Sequence, residues 1–292
     1  MVTGAGWRAL DGSATTCLRQ VRGYSLETEG EEVVEQFLRE PWRDGKAALG
    51  IWCSVSDTLI AEVLASVKPD YVCVDMQHGQ THAGNLVSMM QAVKAGGSVP
   101  IARVAESNPA LIMKALDAGA RGVIVPLVES REQARRAVEA CRFPPRGTRS
   151  FGPYRASITA ESSDPYELEQ VACIVMIETQ RGIANLEEIV TTEGVTAAYV
   201  GPSDLSLALG LPPGSVDAPE FVSVLEDIRA ACEAHGVIPG LHCYEGRTAL
   251  RAVEQGFKMV TVAVELRLLR AALALELDLV RSADAPAAIT KA

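Results

Sequence analysis

The amino-acid sequence predicts an α/β protein closed into a (β/α)8 barrel of the TIM type, on three observations. Eight short β-forming runs recur from about Ala47 onward, helical periodicity recurs between them, and the runs are apolar throughout rather than alternating. A strand that is apolar on both faces needs cover on both sides, which helices recurring after parallel strands supply. Eight such units are the number that closes a barrel. An open doubly wound sheet is the competing arrangement. No GxGxxG follows a first strand and no GxxxxGK[ST] occurs, so the phosphate-binding turns of dinucleotide and P-loop folds are missing.

Each element carries local reasons. The run "AALGIWC" precedes "SDTLIAEVLASV", where Leu59, Ile60, Val63, Leu64 and Val67 share one helical face behind a Ser56 or Asp57 cap. "YVCVD" is second, and "SVPIAR" third. "SNPALIMKALDAGA" then has Asn108 placed to cap, Pro109 at the first helical position and Gly119 past the end. "GVIVPL" is followed by "SREQARRAVEAC", with Ser130 and Gln133 in capping-box spacing. The interval from Phe143 to Tyr166 interrupts this rhythm, and loops of that length are often functional. "ACIVMIE", "AAYVG", "VIPGL" and "MVTVAV" complete the set, and "ELRLLRAALALELDLV" reads as a final apolar helix.

The chain divides into a polar, glycine-containing extension over 1–30, a candidate for disorder, one barrel domain over 31–282 and a tail over 283–292. The 292 residues suit a single barrel, and a hydrophobic content of 48% suits a substantial core. No apolar run reaches the roughly 18 to 20 residues of a membrane span. The net charge of -10 argues against nonspecific nucleic-acid binding. Seven scattered cysteines without a CxxC pair, and an N-terminus without a signal-peptide core, fit a reducing cytoplasm.

In a parallel barrel the active site forms at the C-terminal ends of the strands, so the polar residues just after each run are the candidates. They are Asp75, Gln77 and His78 after the second run, Arg103 after the third, Glu178 after the fifth, Asp204 through "GPSD" after the sixth, and His242 after the seventh. Glu178 and Asp204 follow neighbouring strands. Two carboxylates, completed by water and substrate oxygens, suit a hard cation such as Mg²⁺ or Mn²⁺, with Co²⁺ as a further option. Helix capping is the alternative for either acid. Arg103 near the barrel interior needs an anion, either a substrate oxygen or a structural partner, Asp75 or Glu178.

For His78, metal ligation competes with acid/base catalysis and with a plain solvated loop. His78 and His82 stand four apart, but Gly79 and Gly84 oppose a helix and HExxH is absent. A short turn could bring Asp75 to the His78 imidazole and fix its tautomer. His82 and His242 are weaker candidates, and His235 reads as a helix C-terminal residue.

Together "GIWCSVSD", "VDMQHG", "ARV", "LDAGARGVIVPLVES", "CRFPPRGTRSFGP", "MIET" and "GPSDLSLALG" resemble the HpcH/HpaI family of metal-dependent pyruvate aldolases, from about Glu32 to Arg281. The resemblance implies a phosphoenolpyruvate/pyruvate-type barrel, with the C-terminal helix exchanged between subunits of a hexamer built as a dimer of trimers, or a trimer. It implies Glu178 and Asp204 as metal carboxylates, Arg103 on the substrate oxo group, and His78 as general base with Asp75 as its partner. Backbone N–H groups at Ser203 and Asp204 would hold the pyruvate carboxylate, and Trp52 would stand near the site. The implied substrates are small 2-oxo acids and aldehydes, joined and split through an enolate. Two positions depart from the family pattern: Gln77, where many members have Glu, and Met176, where Gln is common. They leave open oxaloacetate decarboxylation, biosynthetic carbon–carbon coupling, or a barrel that binds without catalysis.

Overall fold

A computed structural model describes residues 36–283. The expected extension over 1–30 and the tail beyond 283 lie outside the described residues. Eight parallel strands close into a barrel in sequence order: β1 (Ala48–Cys53), β2 (Tyr71–Asp75), β3 (Val99–Arg103), β4 (Gly122–Val125), β5 (Ala172–Ile177), β6 (Ala197–Val200), β7 (Ile238–His242) and β8 (Met259–Val264). Each coincides with one of the eight apolar runs.

Both faces of the strands are buried, but against different partners. Tyr71 and Cys73 of β2, Ile174 and Met176 of β5 and Tyr199 of β6 fill the barrel interior. Val72 and Val74, Cys173, Val175 and Ile177, and Val200 pack outward into the helix layer. Because side chains alternate along a strand, the interior phase can be extended past the last paired residue. Extended so, it runs Ala48–Gly50–Trp52, Tyr71–Cys73–Asp75, Val99–Ile101–Arg103, Ala172–Ile174–Met176–Glu178 and Ile238–Gly240–His242. Trp52, Asp75, Arg103, Glu178 and His242 therefore cap interior rows. Lower in the barrel, Gly50 makes room for a ring: a Cβ there would stand 2.1 Å from Tyr71. Leu38, on the helix Gln36–Arg43, is fully buried among the interior residues and helps close the N-terminal end.

The helix boundaries follow their caps. Asp57 accepts from the Ile60 N–H, Asn108 from the Ala110 N–H, and Ser130 from the Gln133 N–H. Gln133 Oε1 accepts from the Glu129 N–H at 2.6 Å, one residue before the cap rather than at it.

Two features differ from the sequence expectation. Most of the apolar stripe of the helix Thr58–Ser66 faces outward: Leu59 is 66% and Val63 52% exposed, while Ala61 and Ala65 are buried and Leu64 is half-buried against the core. The physical reason is close helix–helix approach, since a Cβ on Gly96 would fall 2.4 Å from the Ala65 methyl, leaving no room for large side chains at that contact. The 143–166 interval also contains helical structure, Tyr154–Ala160 and the start of Pro165–Leu168. It is pinned by the fully buried Arg149, which donates to Asp117 Oδ1 at 2.9 Å and to the Leu168 carbonyl at 3.1 Å. This interval follows a helix and precedes β5, so within one chain it belongs to the N-terminal end of the barrel. Its length therefore does not place it at the C-terminal strand ends, where the candidate site residues lie.

Candidate active site

At the C-terminal mouth, Asp75 and Arg103 are register partners on β2 and β3 and form a two-pronged ion pair. Arg103 Nε donates to Asp75 Oδ1 at 2.9 Å and Nη2 to Oδ2 at 2.5 Å. The fork leaves Nη1 free to donate elsewhere. Trp52 Nε1 donates to the same carboxylate at 3.2 Å, and the Arg103 guanidinium lies 4.8 Å from the centre of the Trp52 ring system. Burial opposes a charge on Asp75, but the Arg103 fork, the Gln77 N–H and the indole outweigh it and hold the carboxyl below the usual range. Of the two structural partners open to Arg103, Asp75 is the one engaged.

The link from Asp75 to His78 runs through the backbone. The N–H groups of Gln77 and His78 donate to Oδ1 at 2.9 and 3.3 Å. This replaces the expected contact with the imidazole, because Arg103, Trp52 and the turn already occupy the carboxylate. The His78 side chain is exposed at the mouth. Gln77 stands half-buried beside it, and its Oε1 is buried without a hydrogen-bond partner among the described residues. His82 serves its own turn: its N–H donates to Asn85 Oδ1 at 2.8 Å, and its Nδ1 accepts from the Gly84 N–H at 3.0 Å.

Across the mouth, Glu178 is buried just past β5, and its Oε1 accepts from the Leu127 N–H at 2.9 Å. Burial and the charge of Asp204 outweigh that hydrogen bond and the pull of Arg103, raising its pKa to about 7. Asp204 lies in the first turn of the helix Pro202–Ala208, near enough for its charge to act on Glu178. Gly201 matters here, because a Cβ would stand 2.3 Å from Glu178 Oε2 and 2.9 Å from the Met176 methyl. Met176 forms an apolar floor beneath that carboxylate.

Among the described residues, no group of three or more His, Cys, Asp or Glu side chains is placed to hold a metal ion. That counts against an all-protein cage, and the Gly84 N–H already occupies Nδ1 of His82. A hard cation that keeps water and substrate oxygens needs fewer protein ligands. The donor set fits that second kind: Glu178 and Asp204 offer hard carboxylate oxygens, and the cost of charging Glu178 is what a cation would remove.

The Ser203 and Asp204 N–H groups fall in a first helical turn, where no i−4 carbonyl within the helix can take them. Ser203 Oγ lies 2.7 Å from the Tyr244 hydroxyl. His242 is partly buried and meets the rings of Trp52 and Tyr244 edge-on, at 4.7 and 5.0 Å between centroids. His235 caps the helix Pro219–Ala234 as expected and also pairs with Glu187 at 2.5 Å.

Sequence reasoning missed Tyr244, Arg267 and Glu265. Glu265 accepts from the Ser54 and Val55 N–H groups and so ties the β1 loop to the end of β8. Its signal was present, since it directly follows "MVTVAV", but "ELRLL" also reads as the start of a helix.

A family model described as HpcH/HpaI aldolase/citrate lyase matches residues 48–272. A hydroxypyruvate/pyruvate aldolase of Rhizorhabdus wittichii is 38% identical over 237 residues, 80% of this chain and 94% of that protein. A 4-hydroxy-2-oxo-heptane-1,7-dioate aldolase of Escherichia coli is 31% identical over 83% of this chain and 94% of its own length. Among solved structures, an HpcH/HpaI aldolase/citrate lyase family protein from Burkholderia cenocepacia superimposes with a TM-score of 0.78 at 31% identity, covering 84% of this chain and 98% of that one.

Proposed function

The chain belongs to the HpcH/HpaI aldolase/citrate lyase family, and we propose that it is a divalent-metal-dependent carbon–carbon lyase. It splits a 4-hydroxy-2-oxo acid into pyruvate, or a related 2-oxo acid, and an aldehyde, and runs the reverse addition. The observation that carries the reading is the convergence of a buried Glu178, its neighbour Asp204 and the Asp75–Arg103 pair at one barrel mouth. The relatives named above, aldolases acting on small oxo acids, support it.

Glu178 and Asp204 would hold the cation, Mg²⁺ or Mn²⁺. Bound there, it supplies Lewis-acid polarisation of the 2-oxo acid. The chain's own groups do the rest. Arg103, held rigid by Asp75, turns Nη1 toward the substrate oxo oxygen and stabilises the negative charge that develops there. The Ser203 and Asp204 N–H groups hold the substrate carboxylate. His78 removes the hydroxyl proton in cleavage, and the enolate carbon takes up a proton to become the pyruvate methyl; addition reverses both transfers. Asp75 positions Arg103 and shapes the His78 turn rather than polarising the imidazole. Trp52 fixes Asp75 and shields the Arg103 fork from water.

A homo-oligomer, a trimer or a hexamer with exchanged C-terminal helices, is part of this proposal. It is supported by the helix Glu265–Ala283, whose described residues beyond Glu265 are exposed on every side, including Leu268, Leu269, Leu273 and Leu277. The outward stripe of Leu59, Val63 and Val67 adds to that apolar surface. Cytoplasmic placement is supported by six free, buried cysteines among the described residues. No described helix is long and apolar enough to cross a membrane.

The test is product formation from pyruvate and a panel of aldehydes with Mg²⁺ or Mn²⁺ present. A 4-hydroxy-2-oxo acid product that disappears with EDTA and returns with added cation is expected. Turnover indifferent to the chelator would contradict the metal assignment. Oxaloacetate decarboxylation with no addition product would favour decarboxylation as the activity.

A further inference from the structure

The β7–β8 side of the mouth carries groups that the chemistry above does not use. Tyr244 lies two residues beyond the end of β7, and its hydroxyl touches Ser203 Oγ on the turn assigned to the substrate carboxylate. Over its ring, 4.3 Å from the centroid, lies the guanidinium of Arg267, in the first turn after β8. Arg267 is exposed, and among the described residues no carboxylate pairs with it, whereas Arg135, Arg229 and Arg251 each pair with an acid. Next to Tyr244 sits His242. Burial, with the charges of Arg103 and Arg267, pushes its pKa down to about 3, so this ring is neutral and Arg267 supplies the positive charge of the wall.

We propose that Tyr244 and Arg267 form the acceptor-selecting wall of the site, and that it favours aldehydes whose far end carries an anion. The inference rests on the aldolase reading above. Through Ser203, Tyr244 fixes this wall relative to the turn that holds the 2-oxo acid, so an acceptor lying against that acid extends toward Arg267. A guanidinium stacked on an aromatic ring keeps its planar edge of N–H donors in one plane, ready for a carboxylate, sulfonate or phosphate. An aldehyde with an apolar end gains nothing from that edge and hinders its hydration.

The test compares two acceptors of the same shape, 4-oxobutanoate and 4-methylpentanal, with saturating pyruvate and Mn²⁺. Wild-type protein is expected to prefer the anion in kcat/KM by about tenfold or more, a factor typical of one charge-assisted contact. Arg267→Gln should cut the ratio about tenfold, chiefly through KM for the anion, and Arg267→Lys should retain most of it. Taking the ratio within each protein removes any difference in the folded fraction. A wild type without preference, or an unchanged ratio in Arg267→Gln, would overturn the wall assignment. Pyruvate methyl exchange in D₂O, followed in the wild type, separates the two failures: exchange with an unchanged ratio sinks this proposal alone, and no exchange sinks the aldolase reading with it.

Discussion

Arg103 grips Asp75 at both carboxylate oxygens, Nε to Oδ1 at 2.9 Å and Nη2 to Oδ2 at 2.5 Å, with both side chains buried. The pair joins β2 to β3 at the mouth and aims the one nitrogen that the fork leaves free.

Removing one partner of such a pair strands the other charge. Asp75→Asn should cost about 3 kcal/mol of stability, within the range for breaking buried ion pairs. It should also slow aldol turnover more than a hundredfold, because Arg103 loses its fixed direction. Denaturant unfolding and steady-state rates check the two effects separately. A variant with wild-type stability would show that the pair is not holding the strand ends.

Gly201→Ala would place a methyl 2.3 Å from Glu178 Oε2, and the observed φ of -93° means that the backbone itself accepts alanine. The expected result is a fold left intact and a Mn²⁺ affinity weakened by about tenfold or more, as for other changes behind metal ligands. Titration calorimetry reads this directly. Unchanged affinity would place the cation away from Glu178.

The raised Glu178 pKa sets a pH dependence. Without metal the folded state holds this proton up to about pH 7, while the unfolded chain releases it near the ordinary 4.5. Between those values the native state binds more protons than the unfolded one, so this group's contribution to stability falls as pH rises. The cation must displace the same proton. Its affinity should therefore climb from pH 5 to about 7 and then level, and the gain in Tm on adding Mn²⁺ should be larger at pH 8 than at pH 5.5. A gain independent of pH would contradict Glu178 as a ligand.

His78→Ala should slow cleavage of a 4-hydroxy-2-oxo acid by about a hundredfold or more, the usual weight of a general base. Any oxaloacetate decarboxylation should suffer far less, because loss of CO₂ generates the enolate without removing a proton. Equal losses in both reactions would remove His78 from the role of base.

Much of this was legible in the sequence for definable reasons. A strand buried on both faces is a continuous apolar run, so all eight strands could be read, and the first polar residue after each run identified Asp75, Arg103 and Glu178. What the runs did not encode is which neighbour a strand-end group chooses. Arg103 had two candidate acids, and only the β2–β3 register pairs it with Asp75. The Leu127 N–H that supports Glu178 is a backbone group fifty-one residues away and leaves no side-chain signal. Periodicity placed Leu59 and Val63 on one face but could not show that Ala61 and Ala65 would claim the interior. Tyr244 and Arg267 lie beyond the strand ends, where position along a run no longer indicates direction.

The most direct measurement of the central claim is proton exchange at the methyl group of pyruvate in D₂O, followed by NMR with Mn²⁺-loaded, washed protein and Mg²⁺ in the buffer. Enolate formation at the Glu178–Asp204 site predicts deuterium entering the methyl group without any aldehyde present, stopping with EDTA and resuming when Mg²⁺ is restored. A methyl group that stays protonated, or exchange that continues unchanged in the chelator, would contradict it.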